Sequence, residues 1–406
     1  MIIERPLAKK GLSGTKKWIL LYGRRKTGKS FLVENFLKYD DYFFVKKDRT
    51  VVLKKTAQSL SYDAFLALLR RDIEDGKTTV IDEFHRLGED FLEELHRIKT
   101  GGQVILISST LHLSKRLVGR NSSLLGLVAE FPLGLISLQD TLAALSSFDL
   151  EPKAELELAI LLREPLAVDY FDEKKGAREQ FAQVLMGSMR TIPALVGEVF
   201  SEEERTLSAV YEGVLRAIAN GHCNSGEMSS YLFSRKLIAK DDPSLISQYL
   251  KNLQDFGLIR RIKIFGKDKF IYKHNSPLVR IFYYADEKYN ISERTVGAAE
   301  VGRIVDELLP RIVEDEVRLY FAEKTGLVES VMQGADFDVD VCLLRFSRPQ
   351  IVMEVKWKGR IIGSDIQTAG KSLSKVQAPE RILFVPDKRG LKTPAGLKLM
   401  DVSDLV

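Results

Sequence analysis

Short, unbroken apolar runs alternate with stretches whose apolar residues recur every three or four positions. Lys17–Tyr22 (KWILLY) is such a run and ends at Gly23. A run of that length with no polar face predicts a strand buried on both sides of a sheet. Tyr42–Val45, Thr78–Ile81 and Val104–Ile107 read the same way, with helical spacing in Ser30–Leu37 and Phe91–Ile98 between them. The alternation predicts βαβ units and a parallel sheet. From Leu138 to Phe200 these runs give way to helical periodicity punctuated by Pro152, Pro165 and Pro193.

The pattern changes again at Glu204. Thr206–Asn220 is predicted as a helix closed by Gly221, and Ser225–Phe233 as a second. A third starts at Asp241-Asp242-Pro243, with Asp242 as cap and Pro243 in the first turn. Leu258–Phe265 and Phe270–Lys273, joined by Gly266-Lys267-Asp268, predict a hairpin. Three helices and a hairpin make a winged helix. Asn290–Val406 predicts a last α/β segment, with a helix at Ala299–Glu323 and strands at Phe337–Phe346, Gln350–Trp357 and Arg381–Val385. The basic stretch Lys46–Lys55 reads as a solvated loop edge.

The 406 residues are enough for two to four domains. With 45% hydrophobic and 29% charged residues, the chain has an ordinary foldable composition rather than a disordered one. No apolar run reaches the roughly 20 residues of a membrane helix. Met1–Lys17 lacks the apolar core of a signal peptide. No membrane partner and a cytoplasmic location are therefore expected. Cys223 and Cys342 stand far apart, which excludes a disulfide framework and a Cys-rich zinc site and fits a reducing compartment. The five histidines form no HxH or HxxxH pair, so no metal site built on histidine is expected.

The chemistry concentrates first at Gly23-Arg24-Arg25-Lys26-Thr27-Gly28-Lys29-Ser30, which fits GxxxxGK[ST] between a predicted strand and a predicted helix. In such a loop the backbone N–H groups turn inward around phosphates and the helix N-terminus adds its dipole. Lys29 is placed to reach the β- and γ-phosphates, and Ser30 to hold Mg²⁺. Thr78–Glu83 is an apolar strand ending in two carboxylates. Asp82 is the candidate Mg²⁺ ligand through water, and Glu83 the base that polarises the attacking water. A third strand ends in Ser108-Ser109-Thr110, where Ser108 is the candidate contact to the γ-phosphate or the water.

These pieces resemble a known family. GRRKTGKS, VIDEF followed by HRL, and LISSTLHL are similar to the archaeal ATPases of the P-loop class, relatives of AAA+ and STAND proteins. YEGVLRAIANGH and SLISQYLKNLQDFGLIRR resemble that family's winged helix, and NSPLVRIFYYA the segment leaving it. The resemblance spans nearly the whole chain. It implies ATP as the nucleotide, in keeping with the lack of a guanine-selective NKxD sequence. It also implies an α/β fold of four parts: a P-loop ATPase core (1–137), a helical lid (138–203), a winged helix (204–290) and a PD-(D/E)XK nuclease-like domain (291–406). The sequence departs from the family at two points. Leu124-Leu125-Gly126-Leu127 stands where the family carries Leu-Tyr-Gly-Arg, leaving Arg116 or Arg120 to substitute. Arg190-Thr191-Ile192-Pro193 stands for Gly-Gly-x-Pro. Both bear on rapid turnover more than on nucleotide binding. No arginine that a second copy would donate in a homo-oligomeric ring is identifiable.

Charge is uneven. Between Tyr231 and Arg280 there are eleven Lys and Arg against four Asp and Glu. Gln248, Lys251 and Asn252 on the third helix, and Arg260, Arg261, Lys263, Lys267 and Lys269 on the wing, are the candidate contacts to double-stranded DNA. In the last segment Asp340 precedes Glu354-Val355-Lys356 by fourteen residues. Glu354 and Lys356 share a strand face, and D…ExK is the spacing of PD-(D/E)XK nucleases. Asp340 and Glu354 would share Mg²⁺, and Lys356 would stabilise charge on phosphate. Glu314 matches the family's helix glutamate as a further ligand, and Gln367 and Lys371 are placed at the far wall. The sequence thus reads as an ATPase coupling nucleotide state to DNA. The alternative is a slow ATP/ADP switch acting on a protein partner, with an inactive nuclease-like domain.

Overall fold

The computed structural model describes residues 1–98, 101–111, 126–203, 205–334 and 336–405. Arg116, Arg120, Leu124 and Leu125 lie outside the described residues.

The first sheet contains β1 (Trp18–Tyr22), β2 (Asp41–Val45), β3 (Val51–Leu53), β4 (Gln58–Leu60), β5 (Thr78–Asp82), β6 (Gln103–Ser108) and β7 (Val128–Pro132), in the order β4-β3-β2-β5-β6-β1-β7. From β2 to β7 every pairing is parallel. All five residues of β1 are buried, as its unbroken apolar run requires. Two apolar cores lie on the two sheet faces, one around Leu20, Phe65 and Phe91, the other around Ile19, Leu32 and Ile105. Because β6 lies between β1 and β5, the carboxyl ends of these three strands converge on one edge. That edge carries the phosphate loop, the Asp-Glu pair and the serine run.

The stretch expected as a solvated loop edge instead contains β3, which pairs antiparallel with β2 and continues into β4. Val51-Val52-Leu53 is apolar enough to extend the sheet despite its basic flanks.

Between residues 138 and 202 the regular elements are helices, at Leu138–Leu145, Pro152–Leu162, Pro165–Val168, Ala177–Gly187 and Thr191–Glu202. Pro152 and Pro165 open helices, where the missing N–H costs nothing. Helices Ala209–Ala219, Ser225–Ser234 and Ser247–Asp255 follow, the last entered through a short 3₁₀ turn capped by Asp242. Leu245 lies in that turn and is 44% exposed. Next come the hairpin β8 (Ile259–Ile264) and β9 (Phe270–His274) and a helix at Pro277–Tyr289.

A helix from Ala298 to Thr325 spans the remaining units and stops at Gly326, whose φ of 66° is left-handed. After it, β10 (Ser330–Gln333) pairs parallel with β8 and antiparallel with β11 (Asp338–Val339), making a second sheet β11-β10-β8-β9. Ile262, Ile264, Ile271 and Val331 form a small core there. The third sheet is β12-β13-β14-β15: Val341–Arg345, Arg348–Val355, Glu380–Phe384 and Lys398–Met400. Helix Gly363–Ser374 covers one face of it through Ile366, Ala369 and Leu373. The other face joins the large core shared with the long helix and the 138–202 helices.

Candidate active site

Backbone geometry closes the phosphate loop. A Cβ on Gly23 would come within 2.2 Å of the Leu133 carbonyl oxygen, so no side chain fits there. Gly28 adopts φ 84°, the left-handed conformation that favours glycine, and begins the helix Lys29–Phe36. Lys29 Nζ curls back and donates to the carbonyl oxygens of Gly23 and Arg24, both at 2.9 Å. Burial pushes this ammonium down to about 8, while Glu83 and Asp82 pull it back up. Arg24 and Arg25 are both held by carboxylates of the 138–202 segment. Arg24 makes a buried two-point contact with Glu164 at 2.8 and 3.0 Å, and Arg25 pairs with Glu198 and Glu202. Thr27 is fully buried, and its hydroxyl donates to the Arg24 carbonyl. Lys26 sits at a positive φ of 62°.

Ser30 Oγ donates to Asp82 Oδ2 at 2.8 Å, and Tyr42 OH donates to the same oxygen at 2.6 Å. Asp82 Oδ1 is buried without a partner. Burial raises the Asp82 carboxyl against the pull of its two hydroxyl donors. A serine hydroxyl in contact with a carboxylate that keeps one orphaned oxygen is a donor set suited to Mg²⁺ retaining several waters. Tyr42 escapes sequence reading because it sits inside an apolar strand as an ordinary core aromatic.

Glu83 follows Asp82 in the left-handed region (φ 59°), which turns its side chain out of the strand direction. Its Oε2 accepts from Ser109 at 2.7 Å, with Arg86 NH2 3.6 Å away. Ser108, the predicted contact, is fully buried and turned aside, bonded to His85 Nδ1 at 3.1 Å and Thr110 Oγ1 at 2.8 Å. Strand alternation explains the difference, since Ser108 ends β6 pointing inward and its neighbour points to the site.

Sequence reasoning misses Glu202 altogether. It ends the helix Thr191–Glu202 and reaches the tip of the sheet. Its Oε1 accepts from Arg25 at 2.9 Å and Arg86 at 3.2 Å, and its Oε2 from His85 Nε2 at 3.2 Å and Ser109 at 3.3 Å. A carboxylate only accepts, so His85 Nε2 donates to Glu202. Accepting from His85, and flanked by Arg86 and Arg25, the Glu202 carboxyl falls to about 2. Glu83, His85 and Glu202 bring ligand atoms within 4.8 Å of one another, the one such trio among the described residues. The guanidiniums of Arg25 and Arg86 oppose a cation there.

Beside Thr27 and Gly28 opens a cavity of about 350 Å³ walled by Ile2, Ile3, Phe31, Ile136, Pro165 and Val168. It is an apolar slot bounded by the phosphate-loop helix on one side and the helical segment on the other, which suits a flat heterocycle.

The second candidate cluster lies between the long helix and the third sheet. Asp340 Oδ2 accepts from the Val355 N–H at 2.9 Å, and Lys356 Nζ donates to Glu354 Oε1 at 2.5 Å. Glu354 Oε2 is buried without a partner. Burial raises the carboxyls of Asp340 and Glu354; Asp315 raises the first further, and Asp340 and Asp338 raise the second. Glu314 rises to about 8, first through burial and then through Asp340 and Asp315. Gln367 and Lys371 are exposed on their helix.

The basic surface divides. Arg260 is turned inward, donating to the carbonyls of His274 at 3.0 Å and Asp315 at 3.1 Å and pairing with Glu329. It is a structural cation and not an exposed contact. Asn252 donates to Tyr211 OH at 2.5 Å and accepts from Gln248 at 2.7 Å. Lys251, Arg261, Lys263, Lys267 and Lys269 are exposed, and Arg261 lies over the Phe270 ring at 4.2 Å.

Residues 15–142 match the family model described as an AAA domain. The matched segment contains the phosphate loop and the acidic pair just described. Among curated proteins, none matches the chain. Among solved structures, the Aeropyrum pernix ORC2 protein in ADPNP–ADP complexes is similar at 15% identity and a TM-score of 0.39, over 77% of this chain and 93% of that one. The Aeropyrum pernix ORC1 protein in complex with DNA is similar at 15% identity and a TM-score of 0.32, over 72% and 94%. A STAND protein with a tetratricopeptide repeat sensor from Pyrococcus horikoshii is similar at 15% identity and a TM-score of 0.31, over 80% and 51%. No described helix is long and apolar enough to cross a membrane.

Proposed function

We propose that the chain is a Mg²⁺-dependent ATPase whose nucleotide state is coupled to DNA through a winged helix (204–290) and a nuclease-like unit (291–406). The observation that carries the ATPase reading is the joined pair Ser30–Asp82 beside Lys29, with Asp82 Oδ1 left orphaned. Lys29 would give up its two carbonyl partners for the β- and γ-phosphates, and the apolar cavity would take the adenine. Mg²⁺, when bound by Ser30 and Asp82, supplies charge neutralisation between the phosphates. Glu83 accepts the proton of the attacking water. The exposed cations Lys251, Arg261, Lys263, Lys267 and Lys269 support contact with DNA phosphates, and Gln248 and Asn252 lie on the helix that would face the groove. The packing of Glu314, Asp340, Glu354 and Lys356 supports a metal-dependent phosphodiesterase centre.

The test is phosphate release from ATP with and without duplex DNA, beside Glu83→Gln. Release that DNA stimulates and the variant abolishes supports the reading. Release from neither sample removes it. A slow ATP/ADP switch acting on a protein partner is the second reading, favoured by the engagement of Arg25 and Arg86 by Glu202. Turnover that stays very slow with DNA present selects it.

A further inference from the structure

We propose that Arg86 is the arginine that meets the charge developed during hydrolysis, and that Glu202 withholds it until the 191–202 helix moves. The inference rests on the ATPase reading of this site. Three observations carry it.

Arg86 lies on the 3₁₀ turn Phe84–Leu87 directly after Glu83, with NH2 3.6 Å from Glu83 Oε2. Its NH1 is anchored on the Val45 carbonyl at 2.9 Å, which fixes one arm of the guanidinium and leaves the other toward the site. A planar, permanently charged fork anchored in this way is preorganised to stabilise charge without reorganising.

That second arm is occupied by Glu202 Oε1, and the same oxygen accepts from Arg25 of the phosphate loop. One anionic oxygen therefore bridges a loop arginine and Arg86, as an oxygen of a bound terminal phosphate would. The other Glu202 oxygen accepts from Ser109, which also donates to Glu83. The carboxylate thus acts as an internal substitute for the phosphoryl group.

Glu202 belongs to the last turn of a helix that is not part of the sheet. A shift of that helix removes all four of its contacts together. Arg25 and Arg86 are then free for the nucleotide. In the step itself the water oxygen bonds to the γ-phosphorus, and the bond from that phosphorus to the β–γ bridging oxygen breaks with its electron pair on ADP. The water proton passes to Glu83. The charge growing on the bridging and γ-oxygens faces Lys29 and Arg86.

Single-turnover phosphate release and the affinities for mant-ATP and mant-ADP test this in the full chain, with Lys29→Ala as the binding-deficient reference. Arg86→Ala is expected to slow release by about a hundredfold or more, with mant-ADP affinity within about threefold of the wild type. Glu202→Gln keeps the shape but weakens the hold on both arginines, and is expected to speed release several-fold. The double variant should be as slow as Arg86→Ala. Arg86→Lys keeps charge but loses the fork, and is expected to fall between the two. If Arg86→Ala melts early, reversal of the Glu202→Gln gain by Arg86→Lys decides. Wild-type turnover by a folded Arg86→Ala, or slower turnover by Glu202→Gln with ATP still bound, would overturn the proposal. Failure of the wild type to bind mant-ATP would instead remove the ATPase reading on which it stands.

Discussion

Ser276 donates its hydroxyl to Glu164, the same buried carboxylate that grips Arg24 of the phosphate loop. Ser276 also caps the helix Pro277–Tyr289, which leaves the β8–β9 hairpin. One carboxylate therefore ties the loop, a helix of the 138–202 segment and the chain beyond the hairpin.

Glu164→Gln leaves the Arg24 guanidinium buried without its counter-charge, Glu164 being only 1% exposed. Breaking a buried pair on one side costs about 3–5 kcal/mol, so the urea midpoint should fall accordingly. Mant-ATP affinity should fall with it, because the Arg24 carbonyl positions Lys29. An unchanged midpoint would show that Arg24 finds another partner.

Nucleotide binding should weaken with alkaline pH. Burial brings Lys29 down to about 8, so above that pH the free protein loses the charge proposed to meet the phosphates. Affinity is expected to be full at pH 7 and to fall roughly tenfold per unit above 8. The free protein shows the opposite trend. Between about 8 and the ordinary 10.5 the unfolded chain binds the extra proton, so stability rises with pH across that window. Titrations of affinity and of unfolding at pH 7 to 10 check both signs.

Charge reversal should separate the two kinds of wing cation. Lys267→Glu with Lys269→Glu is expected to weaken duplex binding and flatten its salt dependence by about two phosphate contacts, with unfolding unaffected. Arg260→Glu should instead unfold the hairpin–helix contact, since Arg260 serves His274, Asp315 and Glu329. Fluorescence anisotropy across a salt series, beside thermal melts, distinguishes them. Equal DNA binding by the double variant would locate any DNA contact elsewhere.

The C-terminal cluster should bind a divalent ion more tightly as pH rises. Ligand carboxylates must lose their protons to bind metal, and Glu314 holds its proton up to about 8 in the metal-free protein. Mn²⁺ affinity by calorimetry is expected to climb between pH 6 and about 8, and Glu314→Gln should remove most of that slope. On the proposed nuclease reading, the wild type cuts duplex DNA with Mn²⁺, and Glu354→Ala and Lys356→Ala do not. No heat of Mn²⁺ binding at pH 8 would mark the cluster as structural.

What the sequence made legible follows from locality. β1, β5 and β6 show themselves as unbroken apolar runs, and the phosphate loop as a fixed spacing between a strand and a helix. Arg260 was also open to a closer reading, since it alternates with Ile262 on the inward face of β8 while Arg261 and Lys263 alternate outward. Two features were not legible. Glu202 sits in an acidic run that reads as a solvated helix end, and only the fold brings it to His85, 117 residues away. β10 is a short, unremarkable segment whose partner strand precedes it by 67 residues, as the Ser330–Lys263 contact measures. Pairings of that reach leave no periodic trace in a single chain.

The β8–β10 pairing has a consequence for taking the protein apart. Phe265 donates its N–H to the Val331 carbonyl and Ser330 its hydroxyl to the Lys263 carbonyl, so β10 covers the outer edge of the hairpin. A fragment ending near Asn290 would lose that cover and present β8 as a bare strand with Ile262 and Ile264 beside it. Such an edge is a template for another copy of itself. The hairpin unit prepared alone should therefore self-associate through this edge, and restoring the segment that follows it should block that contact.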